Sequence, residues 1–335
     1  MGSNLPAEMN CYLVPSREAG PGGAKLVRRA TGELPAGGLV VRVAWSSVNF
    51  KDALACTGHP GVVRNFPHVP GIDAAGTVVS CDDGRFQPGD EVIVTGRELG
   101  APRWGAWADF IRVPCEWGLP RPASLSLREA MIYGTAGFTA AQCLLALERN
   151  GIVPSRGPVV VTGAGGGVGS IAVGLLAQSG FEVEAVSGRE STHDLLRKLG
   201  ATKILGRDAV DDTSDKPLLA ARWAGAVDGV GGRMLATIVR SMQHRGCVTC
   251  YGLVGGVDIP LTVYPFILRG VTMQGIDSAQ CPDDMRQEVW RRLAGQWKLP
   301  QLELLAHEIR PEQISETVHA MLQGGTTGRV VIKWV

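Results

Sequence analysis

Net charge is nearly absent from this chain: 33 Lys and Arg against 32 Asp and Glu leave +1 over 335 residues. Bulk electrostatics therefore recruit neither nucleic acid nor an anionic membrane, although one small basic site for a phosphorylated ligand hardly moves such a total. No run approaches the ~18 consecutive apolar residues of a membrane helix. The opening residues Met1-Gly2-Ser3-Asn4-Leu5-Pro6 carry neither the basic nor the apolar region of a secretory signal, and Pro6 breaks the myristoylation pattern. The expectation is a cytoplasmic protein with no membrane and no nucleic-acid partner. Internal repeats and low-complexity segments are also missing.

Cysteine pairing signals are thin. Cys11, Cys56, Cys81, Cys115, Cys143, Cys247, Cys250 and Cys281 are scattered through a long chain, the pattern of reduced, mostly buried thiols rather than a disulfide framework. Cys247 and Cys250 have the spacing of a redox pair, but they fall in 246–252, read as a buried strand, where residues three apart face opposite sides. There is no HExxH, paired Cys/His cluster or four-cysteine lobe, and the six histidines are widely spaced, so no metal is expected. No nucleophile elbow of the form G-x-S-x-G occurs.

What is present is an ordinary globular composition, 45% hydrophobic and 19% charged, in a chain long enough for about two domains. Residues 1–126 are rich in Gly, Pro and short β-like runs (39–44, 76–79, 90–94 and 109–113), with turns such as Gln87-Pro88-Gly89-Asp90 between them. The texture then changes. Ser126-Leu127-Arg128-Glu129 is a capping box opening a helix, and 137–148 has helical apolar spacing ended by Gly151. Strands are expected at 158–162, 182–186, 203–205, 226–230, 247–251 and 271–276, with helices at 169–179, 191–199, within 216–222, and at 234–243. Alternation of this kind predicts an α/β fold whose 127–296 domain is a doubly wound parallel sheet. A last strand, 328–335, is expected to return to the β-rich domain, completing it as 1–126 with 297–335.

The turn after the first of those strands reads Thr162-Gly163-Ala164-Gly165-Gly166-Gly167-Val168-Gly169. Glycines there permit positive φ and let the backbone approach a pyrophosphate, Gly169 allows the helix to pack tightly on the strand, and the helix N-terminus favours phosphate. The register is Ala164-x-Gly166-x-x-Gly169. A lone glycine motif is weak, but strand, turn, helix and second strand are all here, so a dinucleotide site is expected. The second strand ends in Ser187-Gly188-Arg189, where NAD-preferring enzymes place an acid for the adenosine 2′-hydroxyl. A hydroxyl, a glycine and a guanidinium suit a 2′-phosphate instead, and Arg207 after the third strand is expected to reach the same phosphate, so the expected cofactor is NADPH. Glu182 and Glu184 lie inside the strand and read as structural.

Asn49-Phe50-Lys51-Asp52-Ala53-Leu54, Arg64-Asn65-Phe66-Pro67, Pro70-Gly71-Ile72-Asp73, 134–140, Ser187 to His193 and Pro265-Phe266-Ile267-Leu268-Arg269 together resemble the acrylyl-CoA reductase group of the quinone-oxidoreductase branch, medium-chain dehydrogenase/reductase superfamily. The likeness runs over nearly the whole chain. It implies a GroES-like catalytic domain beside the Rossmann domain, a homodimer, and NADPH-dependent reduction of acryloyl-CoA to propanoyl-CoA without zinc. It also implies cofactor contacts from Gly165 to Val168, Ser187, Gly188, Arg189, Arg207, Leu253, Ile267 and Ser278. Zinc-dependent relatives carry Cys where Asn49 stands and His-Glu where Ile72-Asp73 stands. The chain departs from its group at Phe50, where the usual residue is Tyr; a phenyl ring can pack on nicotinamide or ribose but cannot donate a proton.

Reducing an activated alkene requires hydride at the β-carbon, stabilisation of the enolate oxygen and a proton at the α-carbon. The catalytic candidates are Asn49 (orienting nicotinamide or an acyl oxygen, or simply forming a turn), Phe50, and Thr135 as a hydroxyl donor. Asp52 and Asp73 read as loop anchors. Arg64, Arg97 and Arg103 are candidates for CoA phosphates or else solvated charges, and Trp104 and Trp107 for a cleft wall or core. Two other readings compete: a quinone or general enone reductase with the same hydride chemistry, and a non-catalytic NADPH-binding protein of crystallin type.

Overall fold

Parallel strands bury both faces and read as unbroken apolar runs, and Val159–Val161 and Trp223–Asp228 are buried at every position. The computed structural model describes residues 5–334. These group into two units: one runs to Thr135 and takes in Ala279–Ala294 and Ala306 onward, and the other holds Ala136–Ser278 and Gly295–Leu305.

In the second unit six parallel strands lie in the order Lys203–Leu205, Val183–Val186, Val159–Val161, Trp223–Asp228, Met242–Cys250 and Thr272–Gly275. Counted along the chain this is third, second, first, fourth, fifth, sixth. The strand order reverses between the first and fourth strands, and ligands of such sheets bind beyond the carboxyl ends at that point. The glycine turn leaves the first strand there. Helix Gly167–Gln178 follows it and buries Ile171, Val173, Leu175 and Leu176. Glu184 is held inside the sheet by Lys203 at 2.9 Å and the Trp223 indole N–H at 2.7 Å, a structural role.

The helix expected within 216–222 is not there. Arginine side chains satisfy that backbone instead: Arg240 donates to the carbonyls of Asp212, Ser214 and Lys216, and Arg269 to that of Leu219. Two charged forks thus satisfy carbonyls in and just before the segment, which forms no regular helix.

The first unit contains a seven-stranded sheet in which Leu39–Val48 is the hub. It pairs antiparallel with Asp73–Cys81, Phe110–Val113 and the C-terminal strand Arg329–Lys333, so the last strand does return to the β-rich unit. A hairpin of Glu8–Leu13 and Lys25–Ala30 is an addition that the sequence reading omits. Trp107 is fully buried against Tyr12 and belongs to the core rather than to a cleft wall.

The helix Leu127–Arg149 opens with the predicted box: Glu129 N–H donates to Ser126 Oγ at 3.1 Å, and Ser126 N–H to Glu129 Oε2 at 2.7 Å. It is interrupted at Gly134 (φ 48°), and the division between units falls just after, at Thr135, rather than at 126. Helix Asp283–Leu293 joins the first unit rather than the second because buried Arg286 donates to the carbonyls of Thr95 and Ala279. Residues 295–305 fall with the second unit, so the expected cut at 296/297 also moves. Leu127–Arg149, although interrupted by polar residues, is long and apolar enough on average to cross a membrane, but 94% of its apolar window is buried inside the protein. It is a core helix.

Gly76 sits opposite Val43, where a Cβ would stand 1.9 Å from the Arg42 carbonyl oxygen. Gly76→Ala is expected to cost about 1–3 kcal/mol through overpacking. Urea unfolding measures it, and an unchanged midpoint would contradict the close approach.

Candidate cofactor and catalytic sites

The second unit holds the residues expected to form a phosphate site. Gly163 takes φ 57°, and Gly166 caps helix Gly167–Gln178, whose first-turn N–H groups have no partner within the helix. At Gly169 a Cβ would stand 2.3 Å from the Gly163 carbonyl oxygen, which explains the glycine. Ser187 Oγ lies 2.7 Å from Thr192 Oγ1 and 3.3 Å from the Arg189 N–H. A Cβ on Gly165 would stand 3.3 Å from Arg189 Nη2, and one on Gly188 would stand 3.0 Å from Arg207 Nε. The Arg189 guanidinium therefore lies at the turn and the Arg207 side chain beside Gly188 at the end of the second strand, and Arg207 is exposed with no hydrogen-bond or ion-pair partner among the described residues. Free backbone donors, a helix N-terminus and two arginines fit a phosphorylated dinucleotide.

Beneath the turn, Thr162 Oγ1 donates to Asp228 Oδ1 at 2.6 Å and accepts from the Gly229 N–H at 3.1 Å. Asp228 Oδ2 accepts from the Gly231 N–H at 2.8 Å, so one buried carboxyl ties the turns after the first and fourth strands together. Burial pushes that carboxyl up. The sequence reading missed Asp228; its signal is an acid closing an otherwise apolar strand. Leu253 is 63% exposed in the loop after the fifth strand, Ile267 is 68% exposed on helix Tyr264–Arg269, and Ser278 is half-buried beyond the sixth strand.

The first unit gathers Asn49, Asp52, Asp73, Thr135 and Arg329. Asn49 Nδ2 donates to Asp73 Oδ2 at 2.8 Å and Asp52 Oδ2 at 3.2 Å, while Asn49 Oδ1 accepts from Arg329 Nη1 at 3.1 Å. The amide is thus committed internally. Asp73 also accepts from Ser47 Oγ at 2.6 Å and from both the N–H and hydroxyl of Thr135, the latter at 2.5 Å. The Thr135 proton points at Asp73, so this hydroxyl offers an outside group a lone pair rather than the expected donor. Arg329, 2% exposed, also donates to the carbonyls of Ile132 and Val48, and its Nη2 lies 3.8 Å from Asp73 Oδ2. A Cβ on Gly134 would stand 2.5 Å from Asp73 Oδ2, so only glycine fits.

Asp52 accepts from the N–H groups of Gly71, Ile72 and Asn49 as well as from the Asn49 amide. Against those donors, burial and then the charge of Asp73 push its carboxyl from 3.8 up to about 7. Phe50, the first residue of helix Phe50–Cys56, is 45% exposed. Two expected phosphate ligands prove engaged elsewhere: Arg97 pairs with Asp283, and Arg103 donates to the Ala36 carbonyl while lying 5.5 Å over the Trp117 ring. Arg64 is exposed with no such partner among the described residues. Trp104 is half-buried, its indole N–H donating to the Pro67 carbonyl at 2.9 Å.

Comparison with known proteins agrees with both units. The family model "Alcohol dehydrogenase GroES-like domain" matches residues 35–123, and "Zinc-binding dehydrogenase" matches 167–295. The putative quinone oxidoreductase YhfP of Bacillus subtilis (strain 168) is 47% identical over 305 residues, 91% of this chain and 92% of its own. Acrylyl-CoA reductase AcuI of Ruegeria pomeroyi is 44% identical over 318 residues, 94% of this chain and 96% of its own. The chain belongs to the acrylyl-CoA reductase group of the medium-chain dehydrogenases/reductases. Within that family, the yhdH oxidoreductase of Salmonella enterica, solved in complex with NADP, has a TM-score of 0.92 at 44% identity, covering 97% of this chain and 100% of that one. The B. subtilis protein, solved with NAD bound, has a TM-score of 0.93 at 43% identity, with 98% and 100% covered.

Zinc-dependent members hold their metal with thiolate, imidazole and carboxylate groups. Here Asn49 aims an N–H at Asp73, and Arg329 supplies a buried cation beside it. That donor set does not fit a zinc ion in this reductase.

Because the folded Asp52 value lies above its unfolded one, this group stabilises the fold fully below about pH 4, and that stabilisation is lost as pH rises through about 7. The stability of wild type relative to Asp52→Asn, from urea unfolding at a series of pH values, is expected to fall across that window. A difference that stays flat would show that Asp52 titrates below it.

Proposed function

We propose that this chain is an NADPH-dependent reductase of carbon–carbon double bonds conjugated to a thioester, with acryloyl-CoA as substrate and propanoyl-CoA as product. The observation that carries the cofactor assignment is the close approach of Arg189 to Gly165 in the glycine turn and of Arg207, unpartnered among the described residues, to Gly188 at the end of the second strand. No acid stands at the end of the second strand to select an adenosine 2′-hydroxyl. Bound NADPH supplies a hydride to the β-carbon; the α-carbon gains a proton, which gives the saturated thioester and NADP.

The chain's own residues divide the remaining work. Asn49, fixed by Asp52, Asp73 and Arg329, positions the backbone that presents Phe50 rather than touching substrate. Phe50 offers an exposed ring for stacking and has no proton to give, so water supplies the proton. Thr135, with its own proton held by Asp73, accepts rather than donates. Arg64, exposed and without a partner among the described residues, is assigned to CoA phosphate. The eight free thiols suit the reducing cytoplasm. The name of the Bacillus relative favours a second acceptor, a quinone, and the same assay separates the two.

A homodimer is also proposed. The sixth strand, Thr272–Gly275, is an open sheet edge with all four residues exposed. A groove of about 480 Å³ lined by Leu253, Val257, Gly275 and Ile276 adjoins it. Exposed edges and apolar patches of this kind favour pairing with a second copy. Met273→Lys on that edge is expected to shift the protein toward monomer in light scattering; unchanged mass would place the interface elsewhere.

Steady-state NADPH oxidation with acryloyl-CoA, crotonyl-CoA and a simple quinone tests the activity, on wild type and Phe50→Tyr. Acryloyl-CoA is expected to give the highest kcat/KM, and turnover of none of the three would overturn the assignment. Removing one charge-assisted contact costs about 1.5–3 kcal/mol, so Arg189→Ala and Arg207→Ala should each raise KM for NADPH by about ten- to a hundredfold. KM for NADH should stay near the wild-type value. Equal losses with both cofactors would show that these arginines do not read the 2′-phosphate.

A further inference from the structure

Among the described residues one group of thiol and carboxylate side chains lies outside both sites: Cys81, Asp83 and Cys115. Cys81 Sγ lies 3.4 Å from Cys115 Sγ and 3.1 Å from Asp83 Oδ1, and the three ligand atoms are all within 4.8 Å of one another. We propose that these three side chains form a binding site for a thiophilic divalent cation of the zinc type.

Three segments build the site. Cys81 ends strand Asp73–Cys81, and Asp83 follows in the turn, where the Arg85 N–H holds its Oδ1 at 3.0 Å. Cys115 opens the short helical turn Cys115–Trp117 after strand Phe110–Val113. Gly38 leaves room for the sulfur, because a Cβ there would stand 2.6 Å from Cys115 Sγ. Arg85 Nη2 lies 3.5 Å from Asp83 Oδ2, the oxygen turned away from Cys81, and leaves Oδ1 for the ion.

The distances choose between two fates of a close thiol pair. A tetrahedral zinc with sulfur at about 2.3 Å and oxygen at about 2.1 Å sets its ligands roughly 3.5–3.8 Å apart. The two separations that involve Cys81, 3.1 and 3.4 Å, need to open by only a few tenths of an ångström. A disulfide needs the sulfurs at about 2.0 Å, so they would have to close by more than 1 Å. On binding, each thiol releases its proton to solvent and coordinates as thiolate. Cys81 lies eight residues along an extended strand from Asp73, roughly 26 Å at about 3.3 Å per residue. The ion therefore cross-links strand end and helical turn and takes no part in chemistry at Asn49.

The test is equilibrium dialysis of the reduced full-length protein against Zn²⁺ and Cd²⁺, with thiolate-to-cadmium charge transfer read in the ultraviolet. One equivalent is expected on wild type and none at this site in C81S/C115S. Exposed Asp83→Asn, which leaves the packing intact, is expected to weaken binding by about tenfold or more. Equal binding in wild type and the double variant would overturn the proposal, as would no binding to wild type. Binding insensitive to Asp83→Asn overturns the three-ligand form of the site.

Discussion

Asp73 and Arg329 are both sealed from water, and neither charge is tolerable there alone: removing one partner of such a pair costs about 3–5 kcal/mol. Their coexistence organises the first unit. Asp73 collects Ser47, Asn49 and Thr135, and Arg329 collects the carbonyls of Val48 and Ile132. Four chain segments distant in sequence, 47–49, 73, 132–135 and 329, are thereby tied together by hydrogen bonds. The break at Gly134 follows from the same crowding, since no side chain fits against that carboxylate. With Asp52 neutral below about pH 7, the set holds one anion and one cation. A charge-balanced, metal-free cluster then stands at positions where zinc-dependent relatives gather ligands.

The second unit solves a different problem. Its ligand is anionic, so it needs unfilled backbone donors and cations at the strand ends rather than a closed network. Glycines at 163, 165, 166 and 169 let the chain turn closely, while Asp228 and Thr162 tie the turn to its neighbour from below. Arg189 and Arg207 come from the ends of different strands, both of which lie on one side of the first strand in the sheet order. The doubly wound topology thus places both arginines on one side of the first strand.

Legibility in the sequence tracks distance along the chain. The glycine turn, its Ala164 slot and the Ser187-Gly188-Arg189 string are local patterns, legible from neighbouring residues alone. The strand order follows from alternation of strands and helices with parallel pairing. Long-range partners are another matter. Asn49 and Thr135 read as groups that face substrate because nothing nearby announces that Asp73 and Arg329 consume their hydrogen bonds. Arg97 and Arg103 read as free cations because Asp283, Trp117 and the Ala36 carbonyl are remote or featureless in sequence. The false helix within 216–222 has the same origin, since Arg240 and Arg269 lie beyond any local window. Arg329 did carry a signal: a lone cation opening the apolar run Val330-Val331-Ile332 is costly unless paired.

The position of Arg329 also sets an order of assembly. During synthesis the ribosome delivers Asp73 long before the strand that neutralises it, and Leu39–Val48 waits equally long for its C-terminal neighbour. The nucleotide-binding sheet, by contrast, draws all its strands from residues 159–275 and is complete once they have emerged. The usual N-terminal-first sequence of domain folding is therefore inverted. A nascent chain halted before residue 329 carries a finished Rossmann sheet and an open β-rich unit with an uncompensated carboxylate at its centre, a natural substrate for chaperones.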